Sequence, residues 1–358
     1  MLNATVGHDL ELLVRNAEGD VIPAEMILPR PGLGEERASI KLSEVPACVE
    51  HRMGKLIKDG FSLELNPGWN SCREYLAYTT WGLLKAAKRL ADAAECTLDP
   101  SPVGDVKLST VMGASKNCQV FGCSPDINVY NMKEDHPIVD AKKHLRRYAG
   151  GHIHIGMETH HRDKYGEEIV KCWDYIVGNT SILFDNDPLN KVRRAMYGQA
   201  GRFRFQPHGL EYRTLSNFWI KSPSLLSLFI GLARGTCDMV YAGEVSSALL
   251  GKLVSPDDIR CAIDTVDVDL AMRNFLKIRK YIRMFSITST GTDESMLDRI
   301  LLTIIFQGVE DKLHLKNWLE DEWHISRMAS SVGETVVPGF FNRIGRATLR
   351  TSKAKVAF

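Results

Sequence analysis

The chain has 358 residues, 44% of them hydrophobic and 25% charged, enough for a sizeable core in one large domain or two closely packed ones. Its 45 Lys and Arg against 44 Asp and Glu leave a formal net charge of +1, so no global field draws it to nucleic acid or to an acidic membrane. The eight cysteines form no C-x-x-C pair, which excludes a zinc knuckle or a thioredoxin-like motif and suits free thiols in a reducing compartment.

The opening MLNATVGHDLELLV has no basic stretch followed by an apolar one and does not read as a secretory leader. Residues 5–14 alternate as a strand instead. Residues 29–36 (PRPGLGEE) and 99–105 (DPSPVGD) read as loops, and the Asp59-Gly60 turn leads into a strand over 61–66. Ser71 with Glu74 forms a capping box for an apolar-striped helix running to residue 94. Short strands are expected at 119–122, 152–156, 201–205 and 210–215, with an amphipathic helix over 167–184. From Ser222-Pro223 onward the pattern is helical, over 225–242, 256–285 with a break, and 294–314. The basic tail, 343–358, reads as a solvated terminus. The longest apolar run, 301–306, is far short of the roughly 20 residues that span a bilayer. The order predicts an α+β protein, a single domain over 1–358 with its strands in 5–225 and a mainly helical part in 226–340, soluble and cytoplasmic.

Residues two apart on a strand share a face. On that rule Asp9 and Glu11 lie opposite Leu10 and Leu12, and Glu64 and Asn66 opposite Leu63 and Leu65. His152 and His154 lie opposite Ile153 and Ile155, and Glu211 and Arg213 opposite Leu210 and Tyr212. Alternating charge on one strand usually means a solvated sheet face. Four strands offering acids and imidazoles to one side instead suggest oxygen-rich coordination of Mg²⁺, with Mn²⁺ as an alternative. The glycines flanking His152 and His154 mark close backbone approach to a ligand. Arg193, Arg194, Arg202, Arg204 and Arg213 add guanidinium forks suited to phosphate. No Walker A, Gly-x-Gly-x-x-Gly or Gly-x-Ser-x-Gly pattern occurs, so a P-loop, a Rossmann turn and serine acyl transfer are excluded.

The motifs GHDLE (7–11), Asp59-Gly60 with LEL (63–65), FGCSPD (121–126), GGHIHIG (150–156) and HGLEYRT (208–214) together resemble the glutamine synthetase and glutamate-cysteine ligase superfamily, in particular its phage-encoded amidoligase (COOH-NH2 ligase) branch. Asp9 departs from the Glu more usual there. The resemblance implies a curved antiparallel sheet of about six strands forming a funnel, with helices on its outer face. It implies an ATP-dependent ligase that joins a small-molecule or peptide carboxylate to an amine through an acyl phosphate, releasing ADP and phosphate. It implies Asp9, Glu11, Glu64, His152 and Glu211 as metal ligands, His154, Arg194 and Arg213 as nucleotide-binding residues, and Arg213, Arg204, Arg202 and His154 as the catalytic set. A phage origin would place it in the host cytoplasm, with a homo-oligomer compatible. A metal-dependent hydrolase using His152 and His154, or an inactive scaffold of the same fold, are the rival readings.

Overall fold

The computed structural model describes residues 4–28, 48–119, 126–135, 140, 142–185 and 187–282. The expected loop at 29–36, most of the 119–122 strand, Cys123, the apolar run 301–306, the helix over 294–314 and the basic tail lie outside these residues. Gln119 itself closes a 3₁₀ turn, Lys116–Gln119.

The apolar alternation of TVGHDLELLVR makes β1 (Thr5–Arg15) the middle of an antiparallel sheet. In chain order the other members are β2 (Val21–Ile22), β3 (Cys48–His51), β4 (Gly54–Asp59), β5 (Ser62–Asn66), β6 (Trp69–Asn70), β7 (Thr97–Asp99), β9 (Asp126–Asn128), β10 (Lys133–Asp135), β12 (Gly151–Gly156), β13 (Arg202–Gln206) and β14 (Gly209–Tyr212). A separate two-stranded ribbon pairs β8 (Val103–Asp105) with β11 (Arg146–Tyr148). The main path runs β10-β9-β13-β14-β12-β1-β5-β4-β3, with β2, β6 and β7 also pairing to β1.

The expectation of about six strands in a funnel is therefore corrected: among the described residues the sheet has twelve strands and its path is open. Five of the twelve, β2, β6, β7, β9 and β10, are only two or three residues long, too short to show alternation in a sequence. The hairpin at Asp59-Gly60 forms as read, with Asp59 opposite Ser62 across a two-residue loop and Gly60 at φ +58°.

Helices cover one face. The first, α1 (Arg73–Ala93), is capped by Cys72 rather than Ser71. Asn70 Oδ1 accepts from the Cys72 amide at 2.9 Å, a local turn that delays the helix by one residue. Next, α2 (Thr159–Trp173) begins eight residues before the expected 167 and runs into a π-turn, Asp174–Gly178. Helix α3 (Pro223–Tyr241) starts at its Ser222 cap, as read. The expected break in the next helix separates α4 (Pro256–Thr265) from α5 (Val268–Ile278), where Val266 is left-handed and Asp267 caps the second segment. Leu10, Leu12, Leu65, Ile153, Ile155, Leu210 and Tyr212 pack the apolar sheet face against these helices. Full burial of each large apolar side chain contributes roughly 1.5–3 kcal/mol. A smaller cluster, with Leu13, Phe61, Val106, Val111 and Cys118, closes one end of the opposite face.

Beneath the sheet, buried Asp174 accepts hydrogen bonds from Tyr212 at 2.6 Å and Tyr130 at 2.8 Å. Burial pushes its carboxyl up to about 6 from 3.8, only partly opposed by those two bonds. A raised value means this group favours the fold at low pH and loses that contribution as pH climbs through 6. The difference is worth roughly 3 kcal/mol. Asp174→Asn should therefore flatten the pH dependence of stability between pH 4 and 7, relative to the parent. Urea midpoints at pH 5 and 7.5 would read this out, and an equal loss at both pH values would count against it.

Seven cysteines fall among the described residues and all are free. Cys118 is buried, its Sγ donating to the Gly60 carbonyl at 3.1 Å, and burial pushes its thiol up to about 11. Exposed Cys261 should be alkylated first and Cys118 spared in a timed mass-spectrometric labelling at pH 7.5.

Candidate functional site

The polar face read from the sequence assembles by strand register. Across β1 and β12, Asp9 faces His152 and Gly7 faces His154; across β1 and β5, Glu11 faces Glu64. Glu211 on β14 faces His154 on one side and Arg204 of β13 on the other. Cross-strand partners share a face, so acids, imidazoles and guanidinium groups converge there.

At one end sit Glu11, Asp59 and Glu64, with one carboxylate oxygen from each within 4.8 Å of the others. Burial pushes Glu11 up to about 8, with the charge of Asp59 adding to it, against an amide hydrogen bond from Gly150 at 2.7 Å. Burial, then the charges of Asp9, Glu11 and Asp59, push Glu64 well above the ordinary carboxylate range; burial raises Asp59 as well. Three crowded acids, with Glu11 buried, Glu64 half-buried and Asp59 at the open side, are a donor set that fits a hard divalent cation. Sequence reading had missed Asp59 as a donor, taking it only as a turn residue. The register supplies what the sequence pattern does not: Ile57 pairs with Glu64, so Asp59, two residues on, shares its face.

Beside this group is a net of arginines and acids. Arg213 binds Glu211 through Nη1 and Asp126 through Nε at 2.7 Å, and Arg204 reaches Asp126 at 3.2 Å and Glu211 at 3.9 Å. Gln206 Nε2 also donates to Glu211, at 2.5 Å. Burial alone would raise Glu211, but Arg213, His154 and Arg204 outweigh it and hold its carboxyl low. His152 Nδ1 lies 3.2 Å from Arg213 Nη1 and 3.4 Å from Glu211 Oε1. Burial, then Arg213 and Arg193, push its imidazole well below the usual range, so it is neutral and able to donate a lone pair. Asp126 was quoted in the FGCSPD motif without a role and turns out to tie both arginines together.

His154 belongs to a different group. Its Nε2 pairs with Asp9 at 2.7 Å and its Nδ1 lies 3.1 Å from His208 Nε2; Asn66 Nδ2 donates to Asp9 at 2.9 Å. Burial tends to lower His154, but its bond to Asp9 and the charges of Asp9 and Glu211 raise it overall. His152 and His154 thus turn to different partners, Arg213 and Glu211 for the first, Asp9 and His208 for the second.

The remaining arginines separate. Arg193 is buried, donating to the carbonyls of Ala149 at 2.9 Å and Thr214 at 3.3 Å, and faces Glu11 electrostatically. Arg194 is buried too, bonded to the Gly198 carbonyl, with Asp185, Tyr212 and Asp264 as its charged and polar surroundings, and is not brought to the carboxylate group. Arg202 shares the β13 face with Arg204 and has Asp264 as an electrostatic neighbour. The glycines before His152 make way for protein: a Cβ on Gly151 would come within 2.3 Å of Trp219 Nε1, and one on Gly150 within 2.6 Å of His152 Nε2.

Two cavities open on this face. One of about 80 Å³ is lined by Glu11, Asp59, His152, Arg147, Arg193 and Arg213. The other, about 760 Å³, is lined by Asp9, His154, His208, Asn66, Trp69 and Glu158 among others.

Residues 137–242 match the family model described as Phage phiEco32-like COOH.NH2 ligase-type 2. That segment contains His152, His154, Arg204, Glu211 and Arg213, and sheet pairing joins it to Asp9, Glu11 and Glu64 outside it. No curated protein matches the chain.

Proposed function

Taking as premise that residues 137–242 carry the phage-type amidoligase match, we propose that the protein is an ATP-dependent carboxylate–amine ligase working through an acyl phosphate. The observation that carries this reading is the meeting, on one sheet face, of a three-carboxylate group with the Arg204–Arg213 pair.

Glu11, Asp59 and Glu64, with neutral His152 at their side, would hold Mg²⁺, which when bound offsets the charge of a polyphosphate. Arg213 and Arg204, locked by Asp126 and Glu211, present guanidinium groups whose orientation is fixed before a phosphoryl group arrives. In this reading a substrate carboxylate oxygen attacks the γ-phosphorus of ATP and ADP leaves. The amine nitrogen then attacks the acyl carbon, phosphate leaves with the C–O bond electrons, and one proton is lost from nitrogen. His154, held by Asp9, lines the larger cavity and would orient groups bound there.

The test is purified protein with ATP and Mg²⁺ against a pool of amino acids and amines, following ADP and new masses together. ADP accompanied by a product one water lighter than two pooled substrates supports the ligase. Absence of both ADP formation and Mg²⁺-dependent ATP binding would overturn it.

A further inference from the structure

The chain leaves β12 at Gly156 and turns through Met157 and Glu158 into α2. Glu158 stands at the N-cap position with extended backbone, yet its side chain makes no capping bond. Its carboxylate turns instead to the first turn of the helix, where Oε2 lies 3.2 Å from Nδ1 of His160. One donor atom each from Glu158, His160 and His161 falls within 4.8 Å of the others.

Adjacent positions on a helix ordinarily point apart. The rings of His160 and His161 nevertheless approach to 3.9 Å between centroids. His161 is fixed from behind: it meets Tyr241 of α3 edge-on at 5.1 Å and Tyr165 of α2 at 6.3 Å, and those two tyrosines pack on each other at 5.5 Å. Glu158 and His160 are open, with 73% and 67% of their side chains exposed, so an ion can reach them from solvent. Two cations of the same stretch are engaged elsewhere, Arg162 with Asp163 at 2.8 Å and Lys164 over the Tyr165 ring. The positive end of the helix dipole opposes a cation here, an effect that is weak at an exposed site beside a direct bond from an anionic carboxylate.

Two imidazoles and one carboxylate make a mixed nitrogen and oxygen donor set. It suits a borderline cation such as Zn²⁺ or Co²⁺ and leaves one position of a tetrahedral ion to water or a ligand. Glu11, Asp59 and Glu64 offer oxygen alone, the preference of Mg²⁺, so donor chemistry sorts the cations between the two groups. Glu158 also lines the larger cavity with His154 and His208, so a bound cation would replace its negative charge in that lining.

We propose that Glu158, His160 and His161 form a second cation site, selective for a borderline divalent transition metal such as Zn²⁺ and bordering the larger cavity. The site goes beyond the ligase reading and does not depend on it.

The test uses the full, tag-free, metal-stripped chain in excess Mg²⁺, titrated with Zn²⁺ by calorimetry and with Co²⁺ by visible absorption, which reports coordination geometry. Zn²⁺ should bind, and His160→Ala should weaken it by roughly a hundredfold, at least what loss of an outer-shell partner costs. Glu158→Gln should weaken it too, while Glu64→Gln should leave it unchanged. The visible bands of Co²⁺ should fade in His160→Ala at the same concentration. The Glu158 and His160 side chains are exposed, so melting temperatures of these two variants should stay parental. Absence of Zn²⁺ binding, or parental affinity in His160→Ala, would overturn the site. Loss in Glu64→Gln with His160→Ala unaffected would place the ion at the three carboxylates and overturn it as well. Zn²⁺ binding sensitive to His160→Ala in protein that fails to bind Mg²⁺-ATP would uphold this site and overturn only the ligase reading.

Discussion

Arg213→Lys should lower the rate of amide formation by roughly a hundred- to thousandfold while leaving the melting temperature nearly unchanged. Arg213 uses Nε on Asp126 and Nη1 on Glu211, a forked geometry that a single ammonium cannot reproduce. Lysine nevertheless keeps the positive charge between buried Glu211 and half-buried Asp126. Alanine would not, and leaving both carboxylates to Arg204 would cost up to about 3–5 kcal/mol of stability, mixing folding with catalysis. The measurement is ADP release under saturating substrates alongside a thermal melt. A Lys variant with parental turnover would remove Arg213 from the reacting centre, and one that fails to fold would mean the fork is structural.

The second large effect concerns divalent cation binding at Glu11, Asp59 and Glu64. Since burial lifts Glu11 to about 8, its carboxyl is mostly protonated at pH 7 in the absence of cation. Cation binding must then displace a proton, and apparent affinity should rise by up to about tenfold per pH unit, levelling off above pH 8. The sign for the cation-free fold is the opposite: a raised carboxyl favours the folded state at low pH, and that contribution fades as pH rises through 8. Titration with Mn²⁺ in two buffers of different ionisation enthalpy would count the protons released. Glu64→Gln should weaken Mn²⁺ by on the order of a hundredfold, extending what outer-shell changes cost, and should stabilise the cation-free protein by relieving repulsion. A second possible donor group, Glu158 with His160 and His161, lies on the surface at the start of α2 and offers two imidazoles. Mg²⁺, which favours oxygen, distinguishes the two. Unchanged Mg²⁺ and Mn²⁺ affinity in Glu64→Gln would rule out the three-carboxylate site.

Strands long enough to alternate were legible in the sequence, and with them the polar face. LELL around Glu11, SLELN around Glu64, HIHI and LEYR each declare their two sides, and the register then brings Glu11 to Glu64 and Glu211 to His154 and Arg204. What escaped reading had specific causes. Asp59 ends a strand whose charges, Lys55, Lys58 and Asp59, fall on both sides, so GKLIKD shows no alternation. Asp126 acts from a three-residue strand, where no pattern can form. Proximity on the chain also says little about surroundings: Arg193 and Arg194 are neighbours, yet adjacent positions on a helix point apart, and Glu11 is among the charges around the first while Tyr212 and Asp264 are among the groups around the second.

The place of β1 in the middle of the sheet bears on how the molecule comes into being. Its partners β5 and β12 are separated from it by very different lengths of chain: Glu11 meets Glu64 early, but Asp9 meets His152 only 143 positions later, and Glu211 joins His154 later still. During synthesis the strand must wait with one long edge unpaired until β12, residues 151–156, has left the ribosome. Folding should be slow for its size, with the site completed among the last events. An excised 137–242 segment would hold the histidines and arginines but no central strand to align them, so the chemistry of this face cannot be moved to another scaffold in one piece.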